Sequence, residues 1–89
     1  MKVKLNAYAV RDSKADKYNR PYFIGTHGEA IRAFADACRK DGNVMAEHPE
    51  DFNLYFIGTF DEESGELDSV KPLHLASALD GKKPVPVTN

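Results

Sequence analysis

Three histidines, one cysteine and a short run of carboxylates are the side chains of this sequence best suited to chemistry. His27, His48 and His74 stand 21 and 26 residues apart, and Cys38 is the only thiol. Zinc sites use ligands at short paired spacings, which this set does not offer. His48-Pro49-Glu50-Asp51 puts an imidazole beside two carboxylates, the raw material of an acid–base pair with divergent pKa values. Neighbours in sequence just before a strand are equally what a solvated turn provides, and a turn is the expectation here. Cys38 falls among apolar helix positions, where a thiol packs as a small hydrophobe and lacks the open cationic setting of a reactive thiolate. The six glycines are scattered, so no phosphate-cradling loop is formed. Thr26-His27-Gly28 could hold one phosphate on free helix amides, but Glu29 opposes it. The chain therefore reads as non-enzymatic, with no catalytic residue, no metal and no cofactor. A hydrolase built on His48 and Glu50 is the outlying alternative.

What remains is non-covalent chemistry, and the elements decide which side chains share a surface. Residues 2–11 alternate, with Val3, Leu5, Ala7 and Ala9 on one face and Lys2, Lys4, Asn6 and Tyr8 on the other, the period of a half-buried strand. Residues 11–21 are polar and without period, a loop. Tyr22-Phe23-Ile24 can pair briefly or set the approach to a helix. Thr26-His27-Gly28-Glu29 has capping-box spacing. Ala30, Ile31, Phe34, Ala37 and Cys38 then recur on one helical face. Gly42 ends the helix, with Arg39 and Lys40 expected in its last turn. After a connection over residues 43–51, residues 54–60 are rich in strand formers. Ser64-Gly65 reverses the chain, and residues 66–70 should return antiparallel. Residues 73–79 fit either a short helix or an edge strand. No internal repeat is present.

The expected architecture is one α+β domain over residues 1–81, followed by an extended, poorly ordered tail over 82–89. Its order is β-α-β-β, a small three- or four-stranded sheet with one helix packed on one face. A crossover through the helix would set the first strand parallel to the next if they are neighbours. At 89 residues the chain buries only about 60–65 % of its unfolded surface. It has no disulfide, so a homodimer is expected to supply further burial. A lone cysteine fits a reducing compartment. No apolar run reaches the ~20 residues needed to cross a bilayer, and Met1-Lys2-Val3-Lys4 is no signal peptide. The expectation is a soluble protein that makes no membrane contact.

If Val3, Leu5, Ala7 and Ala9 face the helix, then Lys2, Lys4, Asn6 and Tyr8 share the outer face. On the later strand the same rule buries Leu54, Phe56 and Phe60 and turns out Tyr55, Ile57 and Thr59. Lysines interleaved with tyrosines suit single-stranded nucleic acid, whose bases stack on rings while cations meet phosphate. Arg11, Lys14, Lys17, Tyr18 and Arg20 extend the track. The candidate nucleic-acid-binding residues are thus Lys2, Lys4, Tyr8, Arg11, Lys14, Lys17 and Tyr55. Charge is segregated: residues 1–20 sum to +4 and residues 44–69 to −8, within a net charge of −2. A basic part that meets a polyanion and an acidic part that keeps the rest off it would give this pattern, as would two solvated faces. The overall acidity disfavours tight duplex binding. The same outer face also suits a dimer interface.

Several segments, in their order and spacing, resemble a known family. They are Met1-Lys2-Val3-Lys4-Leu5, Tyr8-Ala9-Val10-Arg11-Asp12, Ala30-Ile31-Arg32-Ala33-Phe34-Ala35-Asp36-Ala37, His48-Pro49-Glu50-Asp51-Phe52, Leu54-Tyr55, Gly58-Thr59-Phe60-Asp61 and Ser64-Gly65-Glu66-Leu67. Over roughly residues 1–80 the chain is similar to the small non-structural protein of gokushovirus-type microviruses, phages with small circular single-stranded DNA genomes. The resemblance implies a DNA-binding protein of the host cytoplasm that assists the switch to single-stranded genome synthesis or packaging. It carries over no binding residues, so the candidate set rests on the sheet-face argument alone. The alternative is a non-catalytic module that docks on a viral or host replication protein through the acidic loop Asp61 to Asp68.

Overall fold

A computed structural model of the protein describes residues 4–82. The first strand, β1 (Lys4–Asp12), is followed by two short strands, β2 (Lys17–Tyr18) and β3 (Tyr22–Ile24). Helix α1 (His27–Cys38) comes next, then α2 (Val44–Glu47) and a 3-10 turn at Pro49–Asp51. Strand β4 (Phe52–Asp61), strand β5 (Leu67–Ser77) and a short helix α3 (Ala78–Lys82) complete the described chain. Lys2 lies outside the described residues. So does the expected tail, except that Lys82 closes α3.

Local chemistry accounts for most boundaries. Thr26 is extended, and its hydroxyl oxygen accepts from the Glu29 amide at 3.1 Å while donating to the Glu29 carboxylate at 3.0 Å, which fixes the start of α1. The helix stops just short of its basic residues: its last residue is Cys38, and Arg39 is the capping residue, whose guanidinium pairs with Asp36 at 2.8 Å. Gly42 takes φ 81°, which a side chain would resist, and turns the chain toward α2. Between β1 and β2 the Asp12 carboxylate accepts from the amides of Lys14 and Ala15, and Asp16 adopts φ 59° while pairing with Arg11.

The expected three- or four-stranded sheet with a single helix is corrected on two counts. The sheet has five strands, in the order β2-β1-β4-β5 with β3 also paired to β1, and every pairing is antiparallel. Smaller helices α2 and α3 accompany α1. Nor is β1 parallel to its central neighbour β4. The chain doubles back through β2 and β3 before entering α1, so the helix connects β3 to β4, which run parallel on either side of β1. A two-residue and a three-residue strand in a polar stretch carry too little periodicity to announce that reversal.

The helical elements pack on one face, over a core of Tyr8, Val10, Ala30, Phe34, Cys38, Phe52, Leu54 and Ala78. This inverts the expected polarity of β1. Sheet and helix pack about 10 Å apart, a gap that Tyr8 and Val10 fill and that Ala7 and Ala9 cannot. The large side chains therefore take the inner face and the alanines the outer one.

Midway along β4 the register slips. Tyr8 stands opposite Phe56 but Ala7 opposite Gly58, so Ile57 is a bulge. On the other side Phe56 pairs with Leu73 and Gly58 with Ser69, leaving Val70, Lys71 and Pro72 against that same bulge. Pro72 is tolerated there because β5 is an edge strand with no further ladder to serve. Residues 73–77, undecided between helix and strand, continue β5, and α3 begins at Ala78.

Candidate nucleic-acid interface

Tyr8 was expected on the outer face. It is instead fully buried, with 0 % of its surface exposed. Its hydroxyl meets Nδ1 of His27 at 2.6 Å, and its ring lies 6.0 Å from that of Tyr22 and 5.8 Å from that of Phe56. Burial pushes the phenol above its ordinary pKa; the Asn6 side chain opposes that shift and the charge of Glu29 adds to it. A ring so enclosed presents no face to a base. Asn6 serves the same layer, donating its side-chain amide to the Gly25 carbonyl at 3.3 Å.

The candidate residues are consequently divided between two faces. Lys4 is exposed and alternates with Asn6 and Tyr8, on the helix side. Arg11 and Tyr55 lie on the opposite face; exposed Lys14 sits in the β1–β2 turn, and exposed Lys17, paired with Asp12 and alternating with Tyr18, falls on the helix side. That opposite face has no helix over it among the described residues, and here the rings gather. Tyr18 and Tyr55 meet edge to face at 5.5 Å and 74°, and Tyr55 meets His74 at 5.4 Å and 79°. The Arg11 guanidinium carbon stands 5.9 Å from the centre of the Tyr18 ring. His74 Nε2 donates to Asn53 Oδ1 at 2.9 Å, which orients the imidazole. Beneath Tyr55 lies its cross-strand partner Ala9, whose methyl group leaves the ring room.

Pairing explains how residues far apart in sequence form one row. Tyr18 stands opposite Arg11 on β1, Tyr55 opposite Ala9, and His74 opposite Tyr55. Toward the other end of the same face Phe23 and Phe60 meet at 5.5 Å and 51°. Phe60 was expected inside. The Ile57 bulge reverses the alternation after Phe56, so Phe60 turns outward and Thr59 pairs with Asn6 on the helix side. His74, Asn53, Phe23 and Phe60 escaped the sequence reading because each joins the face through pairing or a bulge, and neither leaves a local signature.

The groups first considered for covalent chemistry are dispersed. His27 is occupied by Tyr8 and by the Phe56 ring at 4.7 Å. His48 caps α2 and is exposed, as is Glu50. Cys38 is buried in the core, and that burial raises its thiol pKa. Among the described residues no helix is long and apolar enough to cross a membrane.

A family model described as Phage ORF5 protein matches residues 5–81, nearly the whole described chain. The chain belongs to the Phage ORF5 protein family. No curated protein and no solved structure matches it. The match to this Phage ORF5 protein spans all five strands of the sheet except for Lys4 at the start of β1, so the open face and its ring row belong to the family-matched region.

Proposed function

We propose that this phage protein binds single-stranded DNA with little sequence preference, using the open face of its sheet. One observation carries the reading: Tyr18, Tyr55 and His74 form a continuous edge-to-face row across β2, β4 and β5, with Arg11 against Tyr18. Bases stack on such rings whatever their identity, because every base has a π-face. Arg11 supplies a cation beside the rings, although it shares its charge with Asp16, and Lys14 adds a second from the β1–β2 turn, with Lys17 at the sheet edge on the other side. Lys4 adds only longer-range attraction from the helix side. Tyr8 has no part in this version of the interface.

The reading places the protein in the host cytoplasm of a small single-stranded DNA phage of the gokushovirus type, assisting the switch to single-stranded genome synthesis or packaging. Affinity should be modest, since the net charge is −2 and the acidic turn after β4 repels phosphate. Fluorescence anisotropy with a labelled 20-mer of single-stranded DNA tests it at low and at moderate salt. Micromolar or tighter binding that weakens with salt is expected. Absence of binding at low salt removes the proposal and leaves the rival, docking on a viral or host protein through the acidic turn.

A further inference from the structure

On the open face, next to the ring row, the sheet carries a depression of about 270 Å³. Ala7 and Gly58 floor it, and Phe23, Ile57 and Leu67 wall it, with Pro21 at one rim and Ser69 at the β5 rim. The floor is bare for a steric reason. A Cβ on Gly58 would sit 2.3 Å from the Asp68 carbonyl oxygen, because the wide bulge of β5 brings that backbone over the strand. Gly58 thus serves two ends, the close approach of β5 and the slot it leaves. Phe23 and Leu67 expose 42 % and 67 % of their surface, an unusual outlay of apolar area beside an uncovered sheet.

We infer that this slot takes one unstacked nucleobase of a DNA strand, held against the Phe23 ring beside a second base on the Tyr18–Tyr55–His74 row. The inference rests on the reading of the open face as a single-strand surface, and continuity with the ring row is what selects the occupant. Ala9 lies under Tyr55 and Ala7 floors the slot, two residues apart on β1, which is about 7 Å along the strand. Stacked bases of a duplex strand are only about 3.4 Å apart. Adjacent nucleotides can fill both positions only when drawn out of the stack, so the spacing favours a single strand over a duplex. Charge sets the direction of the backbone. Exposed Arg20 precedes the Pro21 rim, while Asp68 lines the slot on the β5 side and the turn holding Glu62, Glu63 and Glu66 follows the end of β4, so phosphates run along the Arg20 side.

The test uses the full chain and a 12-mer of deoxythymidine bearing one central 2-aminopurine, read by anisotropy and by quenching of the aminopurine on stacking. Wild-type protein should bind and quench. Phe23→Ala should weaken binding roughly fivefold or more and abolish the quenching, whereas Phe23→Tyr keeps both. Leu67→Glu, at a highly exposed wall position whose change leaves the core intact, should also weaken binding, and circular dichroism confirms folding of each variant. If wild type binds but Phe23→Ala and Leu67→Glu match it, the slot is not a base site, and the ring-row reading survives. If wild-type protein does not bind this strand at all, both ideas fall together.

Discussion

The Tyr8 hydroxyl lies 2.6 Å from Nδ1 of His27, joining the middle of the central strand to the first turn of the covering helix. Around this polar contact the two rings stand edge to face at 5.6 Å, and both touch Phe56. A buried phenol needs such a partner, and this one also pins α1 over the sheet. Tyr8→Phe keeps the ring contacts and removes the hydrogen bond. Urea denaturation should show a loss of about 0.5–1.5 kcal/mol. DNA binding should be unchanged, because the ring faces away from the open surface. A Tyr8→Phe protein of full stability with impaired DNA binding would contradict this assignment.

Stability should fall in alkali. Burial raises the pKa of Cys38 above its ordinary 9.0 and those of Tyr8 and Tyr22 above 10.0. Each group ionises more readily in the unfolded chain, so above its ordinary value the unfolded state holds fewer protons and stability declines as pH rises. The decline begins near pH 9 with the thiol and steepens past pH 10 with the phenols. Denaturation midpoints measured from pH 8 to 11 should follow this course. Cys38→Ala should remove its first part.

Tyr18→Ala and Tyr55→Ala should each reduce single-stranded DNA affinity by about 1–3 kcal/mol with little change in the denaturation midpoint, since Tyr18 is 41 % exposed and Tyr55 lies outside the buried core. Lys4→Ala should change affinity far less. Anisotropy titrations on the three variants compare the two faces of the sheet directly. Equal losses from Lys4→Ala and Tyr55→Ala would mean that the open face has no special role.

Gly58→Ala should destabilise by about 1–3 kcal/mol, because the added methyl meets Asp68 backbone, which moves only if the β4–β5 ladder shifts. Thermal unfolding measures the loss. Amide exchange should show increased opening over residues 67–73 first, where the ladder is already irregular.

Helix α1, its threonine cap, the glycine beyond it and the strand over residues 54–60 were legible in the sequence because each depends on neighbours a few residues away. Alternation also marked β1 as a strand and set Tyr55 outward. It could not say which face of β1 is inside, since Leu5, Ala7 and Ala9 make one face apolar while Tyr8 and Val10 put larger side chains on the other, and only the width of the gap under α1 made Tyr8 and Val10 the better filling. Nor could it foresee the Ile57 bulge, which reverses the direction of every side chain after it, or the pairing that aligns Tyr18, Tyr55 and His74. Local periodicity and capping determined which segments are helix and strand. The tertiary structure alone decided which side chains face water together, because packing volume and strand register act between residues that the chain keeps far apart.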